Sequence, residues 1–313
     1  MPTLKEVRAL YDLPLLTLLD RARAAHRETF EDNEVQLCTL LSVKTGGCAE
    51  DCSYCPQSSH HDTFVEPEKT VSVSDVIASA RRAKELGSTR FCMGWAWREI
   101  KDGPAFDHML DMVKGVKSVG VEACVTAGMI TEGQAARLKD AGLDSYNHNL
   151  DTSRDNYKSI IKTRTFDDRL ATLERVNQAG ISVCSGGIIG MGESVDDRCS
   201  MLATLASLSP QPGSVPINAL VAVAGTPLEH MPPVDPLDMV RMIAVARLLM
   251  PKARVRLSAG RSALSREAQL MCMYAGANSI FYGDTLLTTP NPEEADDLAL
   301  IREAGLSPMA PAP

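Results

Sequence analysis

A repeated punctuation constrains this chain most: an amphipathic run ends at a glycine, and a short apolar run follows. Runs over 74–86, 106–119, 132–141 and 166–179 stop at Gly87, Gly120, Gly142 and Gly180. Apolar segments then follow at 89–93, 121–126, 145–150 and 181–185. Glycine just beyond a helix takes the left-handed backbone that closes it. The second half predicts helices over 195–208, 236–250 and 263–275, and strands over 215–221, 255–258 and 279–281. With the apolar run at 35–43, eight strand segments alternate with helices. Such alternation requires a parallel sheet with right-handed crossovers. Eight units suggest a closed (β/α)8 barrel of the TIM type, with a doubly wound open sheet as the runner-up. A length of 313 residues suits a single domain over 1–313. Residues 1–30 read as an N-terminal helical extension broken at Pro14, and the proline-rich 307–313 as a frayed tail.

Composition excludes several classes. The formal charge is −8 and no basic run is present, which argues against a nucleic-acid-binding surface. No stretch approaches the ~18 uninterrupted apolar residues of a membrane span. The first 27 residues carry mixed charges and lack the apolar core of a secretory signal. Nine cysteines in such a chain point to metal or redox chemistry, not a disulfide framework, and to the cytoplasm.

Three of those thiols lie in Gly46-Gly47-Cys48-Ala49-Glu50-Asp51-Cys52-Ser53-Tyr54-Cys55-Pro56. Glycines, acids and a proline keep this stretch irregular, so it can wrap its thiolates around one point. Iron–sulfur clusters and structural zinc sites normally use four protein ligands. Three ligands leave a [4Fe–4S] cluster one open iron, the mark of a catalytic site. A zinc knuckle with a distant fourth ligand, or three incidental thiols, is the blander alternative. The C-x3-C-x2-C spacing resembles that of radical S-adenosylmethionine (SAM) enzymes.

Strand parity exposes a second group. Side chains alternate across a strand, so Arg90, Cys92 and Gly94 share a face, as do Glu122, Cys124 and Thr126, and Cys184 and Gly186. The fourth strand gives Asn147, Asn149 and Asp151, the sixth Asn218, and the seventh Arg256 and Ser258. Barrel interiors are ordinarily layers of Val, Ile and Leu, and buried charges cost several kcal/mol unless paired. A second iron–sulfur cluster held by Cys92, Cys124, Cys184 and an arginine would satisfy this set. Isolated buried cysteines, by contrast, often act as small hydrophobes.

These residues resemble the biotin synthase family over nearly the whole chain. The likeness is carried by Ser42-Val43-Lys44-Thr45-Gly46-Gly47-Cys48 through Cys55-Pro56-Gln57-Ser58-Ser59, by Gly87-Ser88-Thr89-Arg90-Phe91-Cys92-Met93-Gly94 and by Tyr146-Asn147-His148-Asn149-Leu150-Asp151-Thr152. Val183-Cys184-Ser185-Gly186-Gly187, Val215-Pro216-Ile217-Asn218 and Val255-Arg256-Leu257-Ser258-Ala259-Gly260-Arg261 extend it. The resemblance implies a homodimeric barrel that converts dethiobiotin to biotin with a flavodoxin-like electron donor. It implies that Cys48, Cys52 and Cys55 hold a [4Fe–4S] cluster, and that Cys92, Cys124, Cys184 and Arg256 hold a [2Fe–2S] cluster. Asp151 would bind the SAM ribose and Arg169 its carboxylate. Asn147, Asn149 and Asn218 would surround dethiobiotin, with Asn149 shared with SAM.

Other positions receive plainer readings. Trp95 stands in the loop near SAM where the family more often has a small residue. The glycine-rich 186–193 would let backbone approach the SAM adenine. Cys38, Cys199 and Cys272 match no ligand position, and the last two read as helix packing. His148, of opposite parity to the asparagines, reads as a satisfied structural histidine, and Tyr54 as packing around the cysteine loop. The rival functions are another radical SAM enzyme, such as a hydrogenase maturase or a mutase, and a non-enzymatic iron–sulfur redox protein. Lipoyl synthase is disfavoured because no further N-terminal cysteine cluster exists.

Overall fold

A computed structural model describes residues 1–30, 33–283 and 285–310. Its sheet runs through β1 (Glu34–Lys44), β2 (Arg90–Trp95), β3 (Glu122–Thr126), β4 (Ser145–Asn147), β5 (Ser182–Cys184), β6 (Gly187–Ile189), β7 (Ser214–Ala219), β8 (Arg254–Leu257) and β9 (Ser279–Phe281). The order is β1-β2-β3-β4-β5-β7-β8-β9, every pairing is parallel, and β9 pairs back onto β1. The eight-stranded barrel expected from the alternation is therefore closed.

Most crossover helices start at a hydroxyl cap that their sequence supplies. Ser72, Thr131, Thr165, Ser194 and Ser265 cap the N-termini of Val73–Glu85, Glu132–Asp140, Phe166–Gln178, Val195–Ala206 and Arg266–Tyr274 through their hydroxyls. Gly120 closes Pro104–Val119 at φ +83°. Pro14 separates Leu4–Tyr11 from Leu15–Arg27, and this extension packs on Val195–Ala206 and Pro236–Leu249.

Alternation sorts the strand residues into two environments. Phe91, Met93, Val125, Tyr146, Val183, Val255 and Ile280 join the main core between sheet and helices. Cys38, Cys92 and Cys124 form a separate cluster with Leu40 and Phe281. That division is the period-2 rule of a strand realised in a barrel wall.

Several local expectations need correction. The fourth strand was expected over 145–150 but ends at Asn147, and the chain then bends until Asp151 adopts φ +68° and bridges to Gly187. The fifth strand is interrupted after Cys184, and β6 resumes pairing with β7. Gly186 sits at that break because a Cβ there would lie 1.8 Å from the Pro216 carbonyl oxygen. The helix expected over 263–275 divides into a 3-10 turn, Arg261–Ala263, and the helix Arg266–Tyr274. Three further elements went unforeseen: the helices Arg154–Ile160 and Glu294–Glu303, and a hairpin of β10 (Thr285–Leu286) and β11 (Thr289–Pro290). The segment read as a frayed tail begins with a pairing, since β12 (Ser307–Pro308) runs parallel to the start of β1. Residues 311–313 of it lie outside the described residues.

Candidate active site

A cavity of about 330 Å³ opens within the barrel. The loop after β1 supplies Cys48, Tyr54 and Cys55 to its wall, while the strands supply Cys92, Cys124 and Arg256. Asn147, Asn149, Asp151 and Asn218 line it as well. Two thiols of each group read from the sequence thus border one space, while Cys52 and Cys184 stand behind its wall.

The cysteine loop is built by backbone pairing. Cys48 N–H donates to the Gln57 carbonyl at 2.9 Å, and Ser59 N–H donates to the Cys48 carbonyl at 2.7 Å. Gly46 and Gly47, at φ +69° and +62°, turn the chain into it. The acids between the thiols are anchored to the segment after Arg154–Ile160: Asp51 Oδ1 accepts from Lys162 N at 2.9 Å and Thr163 N at 3.0 Å, and Glu50 accepts from the Thr163 hydroxyl. Burial pushes the Cys52 thiol up to about 11. Burial, then the neighbouring Cys52, push Cys55 up to about 12. Both thiols stay protonated at neutral pH until a metal displaces the protons.

The second group lies deeper. Cys92 and Cys124 are register partners on β2 and β3, and Cys184 on β5 faces Asn147 on β4. Contact with Cys124, then burial, hold the Cys184 thiol well above its ordinary range. Asn147 Nδ2 reaches the Cys184 sulfur at 3.3 Å. Two guanidiniums face these thiols. Burial opposes their charge, yet Glu122 and the thiols hold Arg90 above its usual range, and the thiols alone do so for Arg256. Arg90 Nε donates to Glu122 at 2.8 Å, but its buried Nη1 has no hydrogen-bond partner. A buried unpaired N–H is costly, so this basin suits an anionic group of thiolates and sulfides. Cys38, set aside in the sequence reading, shares the basin: Arg256 Nη2 donates to its sulfur at 3.2 Å.

No three His, Cys, Asp or Glu side chains among the described residues converge as ligands of one metal ion. A cluster does not ask for that, because its cysteines bind different irons and stand further apart than in a mononuclear site. Soft thiols in groups of three, one group beside two cations, fit iron–sulfur clusters in donor chemistry and charge.

Between the thiol groups the polar residues are tied together. Asn147 Oδ1 accepts from Thr126 Oγ1 at 3.1 Å, and Asn147 Nδ2 donates to Asn149 Oδ1 at 3.2 Å. Asn218 Nδ2 donates to the Gly187 carbonyl at 2.9 Å, and its Oδ1 accepts from Ala259 N at 3.1 Å. Asp151 pairs with Arg169 Nη2, and Arg169 Nε donates to Tyr157 Oη at 2.8 Å. Burial opposes the Arg169 charge, and Asp151 together with Tyr157, Tyr54 and Cys52 outweighs it, holding the guanidinium well above its usual range. Asp151 borders the cavity, whereas Arg169 stands behind it.

The remaining expectations divide. The loop over 186–193 is held rather than loose, because Glu193 accepts from Gly190 N and Met191 N and pairs with Arg198. Trp95 ends β2 instead of lying in a loop, borders the cavity and stacks on Trp97 at 6.1 Å. Tyr54 packs against the core. Cys199 and Cys272 are buried in helices, as expected.

His148 is buried, but its Nε2 has no hydrogen-bond partner, so it is not the satisfied histidine expected. Burial first, then Arg169 and Arg164, push it well below 6.5. The unfolded chain therefore binds this proton more readily than the folded one. Its contribution to stability is full above about pH 6.5 and is lost as pH falls toward the folded value. Urea unfolding of the metal-free chain at pH 7.0 and 5.5 should show that loss, and His148→Gln should flatten it.

Comparison with known proteins locates this architecture. Residues 42–205 match the model of the Radical SAM superfamily, and residues 216–307 that of the Biotin and Thiamin Synthesis associated domain. The chain is 69% identical to the biotin synthase of Sorangium cellulosum over 99% of its own length and 89% of that protein. It is 62% identical to that of Myxococcus xanthus with the same coverage. The chain belongs to the biotin synthase family. This family's use of SAM and iron–sulfur clusters agrees with the thiol groups described above. Among solved structures, methylornithine synthase matches with a TM-score of 0.80 at 18% identity, over 98% of this chain and 94% of that one. The FeFe-hydrogenase maturase HydG from Carboxydothermus hydrogenoformans matches with 0.82 at 16%, over 98% and 76%. Both likenesses concern the fold. Cys38 is the site residue the sequence reading missed, though parity could have found it, since it lies an even number of residues from Leu40 and Ser42; Arg90 was read onto the inward face but given no role.

Proposed function

We propose that this chain inserts sulfur from a [2Fe–2S] cluster into dethiobiotin, with SAM, to form biotin. The observation that carries the reading is that two thiols from each of two groups border one cavity, one group being backed by Arg90 and Arg256. Family membership supports the same substrate and product.

In this reading Cys48, Cys52 and Cys55 hold the [4Fe–4S] cluster, and Cys92, Cys124, Cys184 and Arg256 hold the [2Fe–2S] cluster. When bound, SAM and the clusters supply one-electron chemistry and the sulfur that unactivated C–H bonds require, which no side-chain base can provide. The chain's own residues orient and exclude. Asp151 takes the SAM ribose, and Arg169 reaches the carboxylate by sharing or releasing Asp151. Asn147, Asn149 and Asn218 offer amides to the cyclic urea of dethiobiotin, and Asn149 also faces SAM. Asn147 is suited to place the substrate against the sulfur group, because it already touches Cys184. The barrel wall keeps water from the reacting carbon. The family resemblance adds a flavodoxin-like donor, a homodimer and a cytoplasmic setting to this reading.

Anaerobic reconstitution with iron and sulfide, followed by reduction with SAM and dethiobiotin, tests it. Biotin and deoxyadenosine should both form. Deoxyadenosine without biotin would point to a different radical SAM reaction, and neither product would point to a redox protein.

A further inference from the structure

The basin contains one thiol with no role in the reaction proposed above. Cys38 on β1 is fully buried and clusters with Cys92 and Cys124, apart from the main core. Its sulfur accepts from Arg256 Nη2 at 3.2 Å and lies 3.5 Å from Ser279 Oγ. Ser279 Oγ in turn accepts from Arg256 Nε at 3.0 Å, so the guanidinium is aimed at Cys38 by two contacts. On its other side Cys38 is the register partner of Arg90.

A cysteine buried only to fill space would sit among apolar groups, whereas this one stands between two guanidiniums. Two donors on one tetrahedral metal ion, with bonds of roughly 2.0–2.3 Å, stand about 3.5 Å apart. The Cys38 sulfur and Arg256 Nη2 therefore already have the spacing of neighbouring donors to one metal. Their chemistry differs sharply. Guanidinium is effectively always protonated and must lose a proton before it can give a lone pair, while thiolate is the ordinary ligand of iron–sulfur clusters.

We propose that Cys38 is a fourth thiol ligand of the [2Fe–2S] cluster, exchanging with Arg256 at one iron. The inference rests on the assignment of that cluster to Cys92, Cys124 and Cys184. In the exchange the Cys38 S–H bond breaks, its proton leaves to solvent and the sulfur binds iron, with no change in oxidation state. Arg256 then leaves the iron, takes a proton from solvent and remains beside the thiolate as a guanidinium, where it offsets the added negative charge.

The test compares the wild-type chain, Arg256→Met, Cys38→Ser and the double variant after anaerobic reconstitution. Iron and acid-labile sulfide per chain, and 57Fe Mössbauer spectra, are the readouts. Arg256→Met should keep about six irons per chain, the sum of one four-iron and one two-iron cluster. Both irons of its second cluster should be alike in an all-sulfur environment. The double variant should fall to about four irons while keeping the four-iron spectrum, which also shows that it folds. Cys38→Ser alone should keep both clusters, with Arg256 as the remaining fourth ligand. Loss of the second cluster from Arg256→Met alone, or its full retention in the double variant, would overturn the proposal. A wild-type chain that takes up only one cluster would overturn the parent assignment instead.

Discussion

Cys52→Ala should abolish SAM cleavage, lowering deoxyadenosine formation by at least ~10³-fold, or about 4 kcal/mol in barrier terms. The loop offers only three thiols, and Cys52 is the one buried deepest. Losing it leaves two protein ligands where an iron–sulfur cluster normally has four. Iron should fall by about four per chain, while the deeper group keeps its two-iron spectrum. Alanine preserves the backbone carbonyl that receives His61 at 3.0 Å, so the loop itself should stand. Cys272→Ala, in a helix and absent from the cavity lining, is the matched control and should cleave SAM normally. Retention of the four-iron cluster in Cys52→Ala would remove this loop from the mechanism.

Arg169→Met should destabilise the metal-free chain by about 3–5 kcal/mol, because it leaves a buried carboxylate without its partner. The two side chains are 6% and 2% exposed, so solvent cannot replace the lost guanidinium. Asp151 is further constrained by its φ of +68°, a conformation tolerated by aspartate more readily than by most residues. The same variant should bind SAM weakly, since the reading above gives Arg169 the SAM carboxylate. Pairing it with Asp151→Asn should recover a substantial part of the stability without recovering SAM binding. Urea midpoints and equilibrium dialysis with SAM separate these two effects. A loss below about 1 kcal/mol in the single variant would mean that the pair is not holding the bend after β4.

The contrast between these residues marks where sequence reading succeeds. Glycine stops and Ser or Thr caps act within a few residues, so the helices could be read from their ends. Period-2 alternation also acts locally, and it separated Cys92 and Cys124 from Phe91 and Met93 correctly. It also named the cavity-facing set Asn147, Asn149 and Asp151, but not the path that takes them there, because the strand ends at Asn147. Asn149 and Asp151 reach the cavity through a bend stabilised by Gly186 and Gly187, which come from a distant segment. Parity could have put Cys38 on the inward face of β1, but nothing near it in the chain names the partner it meets there. Arg256, which donates to it, lies 218 residues away.

Local spacing is enough to establish the alternation of strands and helices, the three-thiol loop and the inward face of the central strands, because each depends on residues close together in the chain. Closure of the barrel through β9 and β1, the pairing of Asp151 with Arg169 and the meeting of Cys38 with Arg256 are visible in the folded molecule alone. Those facts arise from closure, which sets side by side groups whose separation along the chain carries no information about their distance in space.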